Sequence, residues 1–221
     1  MIELHDLALA APDGRLQFQD LELVVPRGGR QLITGCSGSG KSWLLKVIAG
    51  TEQPLRGRVA VGGRLLWPGD GALALVGAVE VGLAFARGGL LSNLSLGENI
   101  ALPLRFRGLS VAEVKARVGA ALDRLGLLSV AGLRPHALSA SARKHGNLAR
   151  VLALDPELIL LDDPLEGLDS GDRATALQVI RGWELDPDKT LVLAQEEPEP
   201  FAGAPWCRFA LPSPPVLLEV P

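Results

Sequence analysis

The sequence is poor in the features that tie a chain to a compartment or a partner at first sight. It has only two cysteines, Cys36 and Cys207, far apart and without a CxxC spacing. That pattern suggests neither a disulfide framework nor a zinc site, and a reducing compartment is expected. Histidine is also sparse: His136 and His145 find no third ligand at a fitting spacing, so no metal site is expected from them. No charge of one sign accumulates. The 22 basic and 25 acidic residues are mixed along the chain for a net charge of -3, which leaves no electrostatic footprint for a nucleic acid. No uninterrupted apolar run reaches the length of about 18 residues that a spanning helix requires. A role at a membrane would therefore mean docking on the helices of another subunit. The N-terminal MIELHDLALA lacks a basic segment followed by a long apolar one, so it does not read as a signal peptide and export is not expected.

What is present is Ala, Leu, Val and Gly in quantity, with a positive mean hydropathy that fits fully buried parallel strands. A chain of 221 residues suits one domain, or one domain with a small subdomain. Strand-like pieces IELHDLAL, LELVV and QLITG are separated by the turn signals PDG and PRGG. LKVIAG reads as a helix ending at Gly50, and RGRVAVGGRLL as a hairpin. From Asn99 the pattern becomes helical, with VAEVKARVGAALDRLGLL behind a Ser110 cap. PELILLDD and KTLVLAQ then look like two buried strands joined by a helix from about Gly171 to Trp183. The tail LPSPPVLLEVP is expected to be irregular. Trp43 and Trp67 are expected to pack rather than stack.

Between the apolar QLIT and the helix-like WLLKVIAG stands GCSGSGKS, which satisfies GxxxxGK[ST] in full and in the strand-to-helix context that its chemistry needs. Gly35, Gly38 and Gly40 let backbone amides close around an anion, alongside Cys36, Ser37 and Ser39. The helix N-terminus adds partial positive charge, Lys41 can reach outer phosphates, and the Ser42 hydroxyl can take Mg2+. PELILLDD adds an apolar strand ending in carboxylates, with Asp162 the candidate for the magnesium shell.

The phosphate loop and PELILLDD, about 120 residues apart with a helical arm between them, together resemble the nucleotide-binding subunit of an ABC transporter. LLSNLSLGENIALPLRFRGLS is similar to the family's stretch after its glutamine loop, and LARVLALDPELILLDDPLEGLD to its run from signature helix to D-loop. The similarity extends from IELHDL to TLVLAQ. Within the family, ENIALPLRFRGLS most resembles the ATPases of lipoprotein-releasing and phospholipid-trafficking systems. The resemblance implies an α/β fold: a P-loop NTPase (RecA-like) core with an antiparallel β subdomain and an inserted helical subdomain at about 90–148, all one ATP-binding domain over residues 1–221. It also implies ATP and Mg2+ as ligands and a transmembrane permease subunit as partner. A second ABC subunit in a homo- or heterodimer is implied too, with a location on the inner, cytoplasmic face of the cell membrane.

Carried over residue by residue, Gly35 to Ser42, Asp162 and the D-loop Asp169 match the family. Other positions depart from it. The adenine-stacking aromatic falls near Ala11, and the glutamine that places magnesium and water falls on Ala86. The catalytic carboxylate after Asp162 is Asp163, one methylene shorter than the usual glutamate. The switch histidine falls on Glu196, which either faces the terminal phosphate or lies on a solvated acidic loop. LSASA aligns with the LSGGQ-type signature: Ser139 is kept, while Ala140, Ser141 and Ala142 replace two glycines and a polar residue. Methyl and hydroxymethyl groups there make close approach to a phosphate harder.

Binding and hydrolysis call on different residues. MgATP is expected to bind, without the roughly 1–3 kcal/mol that stacking on a ring supplies. Hydrolysis is expected to be slow or absent. A misplacement on the order of 1 Å at Asp163 can cost about a hundredfold, and a carboxylate ~4 Å from the terminal phosphate repels it by about 4 kcal/mol at an effective dielectric near 20. The leading expectation is an energy-coupling subunit of a membrane transporter. The alternative is a pseudo-ATPase that binds ATP and assembles a complex without hydrolysing it. A soluble ABC protein of translation or DNA repair would need a second cassette or a coiled-coil insertion. A small-molecule kinase would leave LARVLALDPELILLDDPLEGLD unexplained.

Overall fold

The computed structural model describes residues 1–10, 16–87, 89–203 and 205–212. Its first elements are β1 (Ile2–Ala10), β2 (Leu16–Val25), β3 (Arg30–Thr34), α1 (Lys41–Ile48), β4 (Arg56–Val61), β5 (Arg64–Trp67) and β6 (Val81–Ala84). Three helices follow, α2 (Leu96–Phe106), α3 (Val111–Arg124) and α4 (Ala140–Leu154). The order closes with β7 (Leu158–Asp162), α5 (Ser170–Leu185), β8 (Thr190–Gln195) and β9 (Cys207–Ala210). The chain divides into two compact units, Met1–Glu80 with the described residues from Thr190, and Val81–Lys189. Among the described residues no helix is long and apolar enough to cross a membrane.

In the first unit β2, β1, β4 and β5 form an antiparallel sheet in that order. The in-out alternation of β1 is interrupted midway. Ile2 and Leu4 point inward while Glu3 and His5 are exposed, and then Asp6 adopts φ 49° and the register shifts before Leu7 returns to the core. The expected hairpin is present, with Val61 opposite Arg64 across Gly62 and Gly63, a pair that supplies the positive φ values of a two-residue turn. β2 begins at Leu16, earlier than the LELVV run suggests, because Leu16 and Phe18 pair with Ala10 and Leu9.

β3 lies parallel to β8 on one side and to β9 on the other. Every residue of β3 and β8 is buried, as strands covered on both faces require. α1 presents Leu44, Leu45, Val47 and Ile48 to this core. It ends in a Schellman motif, Gly50 N–H donating to Val47 and Thr51 N–H to Lys46, which fixes the helix end where the sequence suggests it.

The second unit pairs β6 with β7 in parallel, Val81 opposite Leu158 and Ala84 opposite Leu161, and packs α4 against β6, α2, α3 and α5. Ser110 caps α3 as expected, and a reciprocal Ser110–Glu113 box closes it. α2 carries the same device at Ser95 and Glu98. Its buried Asn99 accepts from Leu91 N–H at 2.6 Å and donates to the carbonyls of Leu91, Leu94 and Ser95. One amide side chain thus holds the chain entering α2.

Candidate functional site

In the first unit the loop Gly35–Ser42 leaves the buried end of β3 and turns directly into α1. Gly40 occupies the capping position with φ 92°, and no side chain bonds to the helix start. A residue with a Cβ would be strained at that angle and would also meet Phe18 at 3.2 Å and Gln17 at 3.3 Å. At Gly35 the restriction is close approach: a Cβ would stand 2.6 Å from Ser39 Oγ. The amides of the first turn of α1 therefore open to whatever enters the loop, with no acidic residue in that turn to compete. Lys41 is buried and its Nζ donates to the carbonyls of Gly35 at 2.7 Å and Cys36 at 3.0 Å. The ammonium thus lies back across the loop, a cation held against the helix's positive end. An acceptor-rich anion is what such a cradle suits.

The C-terminal end of β8 faces the same way. Thr34 and Gln195 are register partners in the parallel pair, so Gly35 and Glu196 leave neighbouring strands at one end. That is where open α/β sheets bind ligands. Glu196 is exposed. Gln195, buried beneath it, donates to the carbonyls of Glu197 and Glu199 and fixes the turn. Solvent screening at an exposed carboxylate reduces its repulsion of an anion below the figure for a desolvated pair. Cys36, Ser37, Gly38 and Ser42 are exposed and Ser39 is buried. Ala11 lies outside the described residues.

In the second unit Asp162 ends β7 with only 5% of its surface exposed, and Asp163 follows at φ 42°. Lys144, on α4, donates to the backbone carbonyls of Asp163 at 2.8 Å and Glu166 at 2.6 Å, so the segment after Asp162 is held from the helix. Burial pushes the Lys144 pKa below the usual lysine range, against the opposing pull of Glu166, Asp163 and Asp162. Ser139 caps α4, its Oγ accepting from Ala142 N–H at 3.0 Å. Ser141 Oγ bonds to Asp172 Oδ2, and the His145 ring meets the Asp172 carbonyl at 3.0 Å. Asp169 caps α5 by accepting from Asp172 N–H at 2.9 Å. The hydroxyls of LSASA are thus engaged with groups of this same chain.

A cleft of about 420 Å³ in this unit is lined by Ala86, Arg87, Ala140, Ser141, Lys144 and Glu166, among others. The structure therefore gathers three of the singled-out positions, Ala86, Ala140 and Ser141, around one opening. The phosphate loop and Glu196 belong to the first unit; Asp162, Asp163 and Asp169 belong to the second. Lys144, Asp172 and Gln17 escaped the reading of the sequence. Lys144 stands in RKH directly behind LSASA, where a basic run reads as a solvated face; nothing local tells that its ammonium meets carbonyls 19 and 22 residues away.

A sequence model of the ABC transporter family matches residues 18–166, and the chain belongs to that family. It is 35% identical over 182 residues to a methionine import ATP-binding protein of Cereibacter sphaeroides, covering 82% of this chain and 52% of that protein. It is 36% identical over 163 residues to a sulfate/thiosulfate import ATP-binding protein of Mycobacterium tuberculosis, covering 74% of this chain and 44% of that protein. The chain thus spans about half the length of these relatives. The fold matches the ATP-binding cassette MJ0796, solved as a dimer in a post-hydrolysis state bound to ADP and Pi, with a TM-score of 0.81 and 26% identity over 89% of this chain and 88% of that one. The fold is accordingly the α/β P-loop NTPase cassette, with its antiparallel β subdomain and inserted helices.

Proposed function

We propose that this chain is the ATP-binding subunit of an ABC transporter, a single cassette with its helical subdomain at about 90–148. In this reading it couples binding of MgATP, and slow hydrolysis at most, to movement of transmembrane permease subunits. The observation that carries the proposal is the loop Gly35–Ser42, where left-handed Gly40 opens an uncapped helix start and Lys41 lies buried across the loop. The relatives' names favour import over the lipoprotein-releasing and phospholipid-trafficking systems that ENIALPLRFRGLS resembles. The subunit would work on the cytoplasmic face of the membrane, paired with a second ABC subunit.

Magnesium fits the donors available. Among the described residues no cluster of three or more His, Cys, Asp or Glu can hold a metal. Mg2+ is typically held by one or two carboxylates together with phosphates and water, and we assign Asp162 and the Ser42 hydroxyl to that role. Bound there, the ion would neutralise charge on the transferred group. The chain's own contribution to hydrolysis is meagre. Ala86 has no hydrogen-bonding side chain, Asp163 is a short carboxylate whose backbone is held by Lys144, and Glu196 brings negative charge to the strand end beside the loop. In a heterodimer, LSASA would impair the partner's ATP site, while a partner's intact signature could face this chain's loop.

The second reading, a pseudo-ATPase that binds ATP without hydrolysing it, is favoured by the engagement of Ser139 and Ser141 inside the chain. One experiment separates the two: MgATP binding and phosphate release measured together, on the purified chain and with a coexpressed permease. Robust release that disappears in Lys41→Ala excludes the pseudo-ATPase, and absence of binding excludes both.

A further inference from the structure

Beside the phosphate loop the first unit buries two side-chain oxygens with no hydrogen-bond partner among the described residues, Ser39 Oγ and Gln17 Oε1. Ser39 is part of the loop, and its hydroxyl packs where any side chain at position 35 would have to go. Gln17 comes from β2. It is 7% exposed, and its Cβ and Cγ lie 3.3 and 3.6 Å from the point where a Cβ on Gly40 would stand. Gly40 is the cap of α1 that no side chain bonds. The Gln17 side chain is therefore held, buried, beside the cap of α1, with its amide acceptor unanswered.

Burying an amide oxygen without a donor is costly, and an apolar residue of the same shape avoids that cost. The neighbours Phe18, Leu21 and Leu23 on β2 are apolar and buried, so packing alone does not call for glutamine. Phosphate oxygens are acceptors and cannot satisfy Oε1; the missing donor has to come with the rest of a ligand. A nucleoside carries two kinds of donor, the ribose hydroxyls and the exocyclic amine.

We propose that Gln17 is a specificity-determining residue whose Oε1 accepts a hydrogen bond from a nucleoside donor of the nucleotide seated in Gly35–Ser42. This rests on the loop being a nucleotide site, as argued above. It would give the chain a direct polar contact to the nucleoside, in a sequence with no ring at Ala11.

The test is equilibrium binding of MgATP, of MgITP, which lacks the amine, and of 2′-deoxy- and 3′-deoxy-ATP with magnesium, to the native chain and to Gln17→Leu. Gln17→Met is run alongside, and the melting temperature of each nucleotide-free variant is expected to be no lower than that of the native chain. The variants should bind MgATP about tenfold more weakly, the worth of one hydrogen bond to a buried acceptor. One analogue should bind the native chain as weakly as MgATP binds the variants, with no further loss on substitution. MgITP in that role identifies the amine, and a deoxy analogue the hydroxyl. Equal MgATP affinity of native chain and variants overturns the inference alone. So does an equal loss for all four nucleotides. A native chain that binds none of them overturns the proposed function as well.

Discussion

At the scale of single residues, the phosphate loop depends on two positions with different physics. Gly40 supplies a left-handed turn under the side chains of Gln17 and Phe18, so Gly40→Ala is expected to cost about 1–3 kcal/mol in stability, read as a lower denaturant midpoint. Lys41 supplies charge: Lys41→Ala should reduce MgATP affinity at least about tenfold, since hydrogen bonds to charged groups contribute about 1.5–3 kcal/mol, as calorimetric titration would show. Lys144 carries a pH signature. Its pKa is lowered in the fold, so between that lowered value and the ordinary lysine value the unfolded chain holds more protons than the folded one. Stability therefore gains from this group as pH rises through the window and is reduced below it. Melting temperatures across the alkaline range should show that upward contribution in the native chain and lose it in Lys144→Met.

At the scale of elements, the entry to α2 hangs on one side chain. Asn99→Ala removes the acceptor for Leu91 N–H and the donor to the carbonyls of Leu91, Leu94 and Ser95. Leaving such groups unpaired is expected to cost about 1–3 kcal/mol each way the site cannot rehydrate, seen as a lower urea midpoint and faster amide exchange over residues 91–95. Elements with local signals were legible. β3, α1 and its end at Gly50, the β4–β5 hairpin, α3 behind Ser110, β7 and β8 all have a buried run, a cap or a turn pair within their own span. Others had none. β9, CRFA, is mostly exposed and exists as a strand because β3 offers it a free edge. The register shift at Asp6 follows from pairing with β2 and β4 together, which no window of sequence contains.

At the scale of the whole molecule, the proposed ATPase activity would depend on the charge beside the loop. Glu196 lies exposed at the strand end beside the loop, so Glu196→His should raise phosphate release at saturating MgATP by about tenfold, equivalent to ~1.4 kcal/mol in the barrier. A steady-state phosphate assay on the native and substituted chains, each with a coexpressed permease, checks it; an unchanged rate would mean that the carboxylate has no influence on the reacting group. A relative of the same fold is dimeric; on the proposed pairing of this chain with a second ABC subunit, LSASA would act on that subunit's site rather than on this one.

The sequence by itself determined the form of the loop Gly35–Ser42, because that structure is made of neighbours. A buried strand, glycines with the required backbone freedom, and a lysine and serine at the start of a helix lie within a dozen or so residues, and local sterics nearly dictate their form. It also determined that Asp162 closes a buried strand, since LILLD reads the same in isolation as in the fold. Tertiary structure alone decided that Gln17 lies buried against Gly40 and that Lys144 meets the carbonyls of Asp163 and Glu166. It alone tied Ser141 to Asp172 and gathered Ala86, Ala140 and Ser141 around one cleft. Such contacts join segments far apart in the chain, and their partners are chosen by packing, which carries no mark in the residues on either side.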